Sequence, residues 1–135
     1  MFSIFYCDRS KFLELSLILT DNQIYYDAEE FTNVDDLIKS ANNFHFDNGK
    51  KLVILSNNGV EEFLFLNKNK NIISALVLDS YSAYYSPLHN AANIIIIPLD
   101  FILNTQAISF INIFINTHYE GGRHDARVRM LTNKA

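Results

Sequence analysis

The sequence predicts a three-layer, Rossmann-like α/β domain in which a mostly parallel five-stranded sheet lies between two layers of helices. Short runs of branched and aromatic apolar residues recur along the chain, as expected of strands buried on both faces. Segments with the apolar spacing of helices alternate with these runs, which is typical of a parallel sheet. The 135 residues, 49% of them hydrophobic, suffice for one core. A single domain over residues 1–135 is therefore expected.

The predicted strands are four clear apolar runs and one weaker candidate. In chain order they are Phe2–Cys7, the weaker Gln23–Tyr26, Leu52–Leu55, Ile72–Leu78 and Ile94–Ile97. Branched and aromatic side chains dominate these runs, and such side chains pack well on the pleated surface of a sheet.

Helical spacing of apolar residues marks five segments between the strands. In chain order they are Phe12–Leu19, Val34–Ala41, Glu61–Leu66, Ser80–Tyr85 and Asn104–Asn116. The helix at Val34 is the best defined, because Thr32 or Asn33 can cap it and acidic residues fill its first turn, where the helix dipole favours negative charge. The polar stretch Asn42–Lys50 is expected to be a surface loop.

Composition excludes several classes of protein. The net charge of −4 argues against general nucleic-acid binding. The single Cys7 cannot form an internal disulfide and suits a reducing cytoplasm. The start of the chain lacks the pattern of a signal peptide, and polar residues and Pro98 interrupt the apolar stretch 91–115, so no membrane span is expected. No metal-ligand spacing is present, and neither a metal nor an organic cofactor is predicted.

The segment His118–Val128 carries the clearest functional signal. Its two adjacent glycines free the backbone for close approach to a ligand. Arg123 and Arg127 lie four residues apart and face the same way if the tail is helical. Paired guanidiniums match phosphate oxygens well, so the spacing suggests a phosphate clamp. A charged C-terminal helix with a flexible hinge explains the same spacing equally well.

Other candidate positions follow from the predicted sheet. In open α/β sheets, ligands bind outside the carboxyl ends of the strands, so the residues that directly follow each strand are informative. These are Asp8, Ser56–Glu62, Asp79 and the segment before Asp100.

Three motifs occur in order between about Ile72 and Leu131. They are Asp79-Ser80-Tyr81-Ser82-Ala83, His89-Asn90-Ala91-Ala92-Asn93 and the run Tyr119–Val128, which contains Gly-Gly-Arg-His. Together they resemble the ribose-5-phosphate isomerase B and galactose-6-phosphate isomerase family, and the pattern is most similar to the A-type subunits of the latter. The resemblance is thin before Ile72, although Asp8 stands where the family's first strand ends in an aspartate.

The resemblance implies an aldose–ketose isomerase that acts on a phosphorylated pentose or hexose through an enediolate and needs no cofactor. It assigns ring opening to His89, sugar binding to Asn90 and phosphate binding to Arg123 and Arg127. His124 of the closing motif and Asp8, which is expected to bind a sugar hydroxyl, complete the substrate-binding candidates. Without the resemblance, His89 would be interpreted as a surface histidine at a helix end.

One loop departs from the family pattern. Where the family carries a cysteine base in a glycine-rich loop, this chain has Ser56-Asn57-Asn58-Gly59-Val60-Glu61-Glu62-Phe63. A serine hydroxyl is too weakly acidic to replace a thiolate without an activating partner, so Ser56 is a poor candidate base. Arg9 also stands where many members have histidine, and Asp100 where some have a phosphate-binding arginine.

Three functional hypotheses remain open at this stage. In the family, active sites lie between protomers, so the chain could supply its histidine, asparagine and arginines to a hetero-oligomer whose cysteine comes from a paralogous subunit. It could instead form a homodimer that uses Glu62 as the base, since some members place a glutamate six residues beyond the cysteine position. An exposed first-turn glutamate, stabilised by the helix dipole, is the alternative interpretation of Glu62. The third hypothesis is a non-catalytic sugar-phosphate-binding or sensor protein that has lost the base.

Overall fold

The computed structural model describes residues 2–133, so Met1, Lys134 and Ala135 of the predicted domain 1–135 lie outside the described residues. The strands are β1 (Phe2–Tyr6), β2 (Asp27–Glu30), β3 (Lys51–Ser56), β4 (Ser74–Leu76) and β5 (Ile94–Pro98). The helices are α1 (Arg9–Asp21), α2 (Val34–Asn42), α3 (Val60–Leu66), α4 (Ser80–Asn90), α5 (Asn104–Asn116) and α6 (Asp125–Thr132). Short 3₁₀ turns at Asp47–Gly49 and Gly122–His124 precede β3 and α6.

The strands form one sheet in the order β2-β1-β3-β5-β4, and every pairing is parallel. Helices α1, α4 and α5 contribute to the apolar core on one face, and α2 and α3 to the core on the other. The predicted three-layer α/β architecture is confirmed, with a sheet that is wholly rather than mostly parallel. No helix within residues 2–133 has the length and apolar character needed to cross a membrane.

The central strands are apolar over residues 52–55 of β3 and 94–98 of β5, because both of their faces are covered there. Val53 and Leu55 pack into the core beside α1 and α5, while Leu52 and Ile54 pack into the core beside α2 and α3. The alternation follows from the two-residue period of a strand. Burial on both faces explains why the runs of isoleucine and leucine predicted these strands well.

The predicted strand Gln23–Tyr26 is wrong in position, because β2 begins at Asp27. Residues 22–26 form the turn after α1, in which Gln23 adopts a left-handed φ of 57°. Tyr26 packs against the apolar core rather than into a strand. Strand β2 itself is an exposed sheet edge of sequence Asp-Ala-Glu-Glu, held by backbone pairing to β1. Its side chains therefore carry no apolar signal.

The region from Ile72 to Asn90 also differs from the prediction. Only Ser74–Leu76 pair as β4, which is shorter than the predicted run. Helix α4 extends beyond the predicted end at Tyr85 and reaches Asn90 despite Pro87 within it. This extension places His89 and Asn90 in the last turn of a helix.

Candidate functional site

A cavity of about 150 Å³ lies at the carboxyl ends of β1 and β3. These two strands are neighbours, but the chain leaves β1 for β2 on one side and returns to β3 on the other. Such a reversal of strand order opens a crevice where α/β proteins bind ligands. Tyr6, Cys7 and Asp8 line the cavity from β1, and Leu55 and the loop after β3 line it from the other side.

The loop after β3 is closed by its own hydrogen bonds. The Gly59 N–H donates to Ser56 Oγ at 3.0 Å, and the Val60 N–H donates to Asn58 Oδ1 at 3.0 Å. Two amides that could hold an oxyanion are thus already satisfied by side chains. Among the described residues, no side chain accepts the proton of the Ser56 hydroxyl and could so activate it as a base. The prediction that Ser56 is a poor base is consistent with this geometry.

Glu62 is buried and lines this cavity, with only 3% of its surface exposed. The alternative interpretation of Glu62 as an exposed first-turn glutamate is therefore wrong, since α3 turns this residue inward. Among residues 2–133, no hydrogen-bond or ion-pair partner is found for its carboxylate. Among the described residues, no buried side-chain oxygen or nitrogen lacks a hydrogen-bond partner, so the carboxylate oxygens of Glu62 reach the open space of the cavity, where a ligand can contact them.

Cys7 also lines the cavity, half-buried rather than fully buried as its apolar surroundings suggested. Burial raises the pKa of its thiol, and the nearby Glu62 and Glu30 carboxylates raise it further. The thiol therefore stays protonated at neutral pH and is a weak nucleophile. Sequence analysis did not place Cys7 in the site, although its position at the end of a buried strand is the signal that could have done so.

Two ion pairs flank the cavity. The Lys11 ammonium donates to Asn57 Oδ1 at 2.9 Å and to Asp100 Oδ1 at 2.8 Å. Arg9 donates to both carboxylate oxygens of Glu30, at 2.7 and 3.0 Å. Lys11, which the sequence analysis missed, thus brings a cation to the wall of the cavity.

The two aspartates that follow strands act locally as helix caps. Asp8 Oδ1 accepts from the Ser10 hydroxyl at 2.8 Å and from the Lys11 N–H at 3.2 Å, and these bonds lower the pKa of the Asp8 carboxyl. Asp8 lines the cavity as well. Asp79 caps α4 through the Ser82 N–H at 2.7 Å and does not line the cavity.

The second group of predicted residues gathers around the end of α4. Arg127 of α6 donates from Nε to Asn90 Oδ1 at 2.9 Å and from Nη2 to the carbonyl of His89 at 2.8 Å. The His89 ring stacks on the His124 ring, with centroids 4.3 Å apart and planes inclined by 19°. Each ring nitrogen of His124 faces one arginine. Arg123 Nε lies 3.5 Å from Nε2, and Arg127 Nη2 lies 2.8 Å from Nδ1.

Two glycines make this arrangement possible. Gly121 has φ 76° and ψ −153°, a conformation that is essentially restricted to glycine, and Gly122 has φ 63°. The resulting turn brings the 3₁₀ segment beside α4, where the Glu120 N–H donates to the Leu88 carbonyl at 2.9 Å. The helical tail begins at Asp125, so the two arginines converge through this turn rather than along one helix face.

His124 is buried, with 5% of its surface exposed. Burial lowers the pKa of its imidazole, and His89, Arg123 and Arg127 lower it further, while Glu120 acts in the opposite direction. A neutral ring follows at neutral pH. A guanidinium only donates hydrogen bonds, and both ring nitrogens of His124 face one: Arg127 lies 2.8 Å from Nδ1 and Arg123 Nε lies 3.5 Å from Nε2. A neutral ring has one acceptor nitrogen, and the shorter contact makes it Nδ1, which places the ring proton on Nε2.

Glu120 completes this cluster and was missed as a site residue. Its Oε2 lies 3.6 Å from His89 Nε2 and 3.7 Å from His124 Nε2. By distance alone, these three side chains could hold a metal ion. Ligation through Nε2 of His124 would, however, require the proton on Nδ1, where Arg127 already donates. The prediction of a metal-free site stays a prediction.

The cavity lies at the carboxyl ends of the strands, and the cluster lies near their amino ends. The 11 residues of α4 start near the carboxyl end of β4 and end near the start of β5. At about 1.5 Å per residue, the two ends of this helix are about 16 Å apart. The structure thus brings together His89, Asn90, Arg123, His124 and Arg127 in the cluster. It brings together Asp8 and Glu62 in the cavity, and none of the five cluster residues lines that cavity.

Comparisons with known proteins agree with these observations. A family model described as Ribose/Galactose Isomerase matches residues 19–131. The galactose-6-phosphate isomerase subunit LacA of Staphylococcus epidermidis is 40% identical over 73 residues, which cover 54% of this chain and 51% of the relative. The same subunit of Lactococcus lactis subsp. lactis is 30% identical over 105 residues, covering 78% of this chain and 73% of the relative.

The chain spans about half the length of the curated relatives that it matches at 40% identity. Among solved structures, ribose 5-phosphate isomerase B from Anaplasma phagocytophilum superposes with a TM-score of 0.79 at 24% identity, covering 96% of this chain and 95% of that one. At 24% identity, this structural similarity shows that the two chains share a fold.

Proposed function

The chain belongs to the ribose/galactose isomerase family, and we propose that it is a subunit of an aldose–ketose isomerase acting on a phosphorylated sugar such as ribose 5-phosphate or galactose 6-phosphate. The observation that carries the proposal is the cluster in which Arg123 and Arg127 bracket His124 beside His89 and Asn90. Two fixed guanidiniums suit a phosphate, and an imidazole beside them suits proton transfer to a sugar ring oxygen.

A complete site needs two chains. Because the cavity lies at the carboxyl ends of the strands and the cluster near their amino ends, one molecule does not present both to a single small sugar. A second chain can place its cluster over the cavity of the first. In a symmetric dimer this pairing occurs twice, which gives two equivalent sites. The charges of the two halves suit such an encounter, since the cavity wall carries Asp8 and Glu62 and the cluster carries the two arginines.

Glu62 is the group on this chain that is best placed to act as the base. Its carboxylate would remove the proton from C2 of the open-chain aldose, and the electrons of that C–H bond would form the enediolate. Transfer of the hydroxyl proton from O2 to O1, followed by return of the abstracted proton to C1, would give the ketose and restore the carboxylate. Burial without a protein partner supports this role, because the carboxylate is left available to a ligand in the cavity.

A paralogous subunit that carries a cysteine is the other source of a base. In that hetero-oligomer, this chain would supply His89, Asn90 and the arginines to the shared site. The name of the LacA relatives identifies them as subunits, which supports an assembly of more than one chain type. The half-buried single Cys7 suits the reducing cytoplasm in which we propose that the chain works.

The test is isomerase activity of the purified chain on ribose 5-phosphate and on galactose 6-phosphate, alone and after addition of a cysteine-bearing paralogue. If Glu62 is the base, Glu62→Gln lowers kcat by about 10²- to 10⁴-fold. Glu29→Gln is the matched control, since it removes the same charge from an exposed residue of β2 that does not line the cavity.

Activity of the chain alone that depends on Glu62 supports the homomeric enzyme. Activity only in the presence of the paralogue supports the hetero-oligomer. Binding of the sugar phosphates without turnover in either case would overturn the isomerase and leave a sensor.

A further inference from the structure

We propose that Glu120 is a positioning residue that holds the proton of His89 on Nε2 and thereby leaves Nδ1 as the nitrogen that exchanges a proton with the sugar. The inference rests on the proposed function, in which His89 opens the sugar ring. It concerns a residue to which the family resemblance assigned no role.

The position of Glu120 is fixed by its backbone. Its N–H donates to the carbonyl of Leu88, the residue before His89, at 2.9 Å. The glycine turn that follows holds the other side of the residue. The Glu120 carboxylate therefore lies at the end of α4, although half of its side-chain surface (51%) is exposed.

The carboxylate faces the Nε2 atoms of both stacked imidazoles, at 3.6 Å from His89 and 3.7 Å from His124. A carboxylate only accepts hydrogen bonds, so a nitrogen that faces it is stabilised in its protonated form. Contacts of this length are common at sites of proton transfer before substrate binds, and they tighten in the complex. For His89, Glu120 thus favours the proton on Nε2; for His124, Nε2 also faces the Arg123 Nε donor at 3.5 Å, so its tautomer is set by the shorter Arg127 contact at Nδ1.

The two histidines differ in what else fixes them. Arg127 donates to Nδ1 of His124 at 2.8 Å, so His124 keeps its proton on Nε2 even without Glu120. His89 has no partner at Nδ1 among residues 2–133, and its neighbours are the rings of Tyr85 and His124 and the Glu120 carboxylate. Among the described contacts of His89, Glu120 is therefore the one that selects which ring nitrogen carries the proton.

The same geometry disfavours the competing interpretation, a metal held by the two histidines and Glu120. A metal on Nε2 of His124 needs Nδ1 to carry the proton and to donate it to an acceptor. Arg127 occupies that position as a donor, and Arg123 adds a second positive charge 3.5 Å from Nε2. The charges and donors around the cluster therefore fit a proton relay better than a cation site.

The test is a long-range ¹H–¹⁵N correlation spectrum of the four histidines of the full chain, assigned with His45→Gln and His118→Gln. In the native protein we expect His89 and His124 to be protonated on Nε2. In Glu120→Ala, His89 should become a mixture of both tautomers while His124 stays unchanged as an internal reference. Glu120→Gln, which keeps an acceptor oxygen, should restore the native pattern in part, and Glu29→Ala, a charge deletion on β2, should leave it intact.

The activity of the assembled enzyme provides the second readout. Glu120→Ala should lower kcat by about 10- to 100-fold with little change in KM, because the phosphate-binding arginines remain. An unchanged His89 spectrum in Glu120→Ala would overturn the inference whether or not the enzyme is active. A changed tautomer with native kcat would overturn it as well. If the native protein turns over neither sugar phosphate, the proposed function fails while the spectrum still decides what Glu120 does to His89.

Discussion

Arg127 organises more of the cluster than any other single side chain. Its guanidinium donates to the side chain of Asn90, to the backbone of His89 and to the ring of His124. Arg123 makes one long contact, 3.5 Å to His124. In the proposed site, Arg123 is thus the freer of the two for a phosphate, and Arg127 both binds phosphate and holds the ring-opening histidine in place.

Replacing Arg127 by alanine should weaken binding of the sugar phosphate by at least about tenfold. Each charge-assisted hydrogen bond that is lost contributes about 1.5–3 kcal/mol. Isothermal titration calorimetry with ribose 5-phosphate or galactose 6-phosphate measures the change. Arg129→Ala is the matched control, because Arg129 lies exposed on the same helix and its side chain makes no hydrogen bond or ion pair among the described residues. Equal affinities of the two variants would contradict the clamp.

At the scale of elements, the connection from β3 to α3 depends on one glycine. Gly59 has φ 79°, and a Cβ atom built on it would lie 2.7 Å from Leu76 Cδ1 and 2.8 Å from Ile96 Cγ2. The close approach seats α3 against β4 and β5 and so turns Glu62 towards the cavity. Packing against Leu76 and Ile96 therefore requires a glycine at this position of the loop.

Gly59→Ala should destabilise the protein by at least about 2 kcal/mol, from left-handed strain together with overpacking of the core. Gly49→Ala is a control that isolates the strain, since Gly49 also has a positive φ of 73° but nothing within 4 Å of the added methyl group. Urea denaturation gives both free energies of unfolding. Equal losses in the two variants would show that the contacts with Leu76 and Ile96 do not matter.

Lys51 connects the start of β3 to the end of α5. Its ammonium donates to the carbonyls of Phe114 and Thr117, both at 2.6 Å, and lies 4.6 Å from the centre of the Phe114 ring. Burial lowers the pKa of Lys51 to about 8. This contact anchors the segment that leads to Glu120 and the glycine turn.

The lowered pKa of Lys51 predicts how stability depends on pH. Between pH about 8 and the ordinary lysine pKa of about 10.5, the unfolded chain binds more protons at this residue than the folded one. As pH rises from about 8 to about 10.5, Lys51 therefore adds to the free energy of unfolding. When pH falls back to about 8, this added stability is lost. Urea denaturation at pH 7 and 9.5 should show a larger increase for the native chain than for Lys51→Met. Lys50→Met should follow the native chain, and parallel behaviour of all three proteins would refute the prediction.

At the scale of the whole molecule, the separation of cavity and cluster makes the proposed shared site directly testable. If Glu62 of one copy works with Arg127 of another, Glu62→Gln and Arg127→Ala are each strongly impaired alone at substrate concentrations well below KM but complement each other when mixed. If the subunits exchange at random, about half of the dimers are mixed, and each mixed dimer has one intact site out of two. Activity should therefore return to about a quarter of the native value. Isomerase assays after unfolding and joint refolding provide the measurement. No recovery, with mixed dimers demonstrated by mass spectrometry, would rule out a site shared between copies of this chain.

The sequence by itself determined the parts of this protein that depend on local composition. An aromatic run predicted β1, and isoleucine- and leucine-rich runs predicted β3 and β5, because these strands are buried on both faces. The capping residue before Val34 predicted the start of α2. The order of the three motifs identified the family from the residues alone, and five of the predicted site residues do gather in one cluster.

Only the tertiary structure decided the rest, because it depends on contacts between residues far apart in the chain. Strand β2 is held by backbone pairing along an acidic edge, which leaves no apolar pattern to detect. The inward orientation of Glu62 follows from the packing of Gly59 against β4 and β5. The roles of Glu120 and Cys7 emerge only when the chain folds, and the length of α4 separates the cluster from the cavity. That separation, set by the rise of one helix across one sheet, is the physical reason why the proposed site requires a second chain.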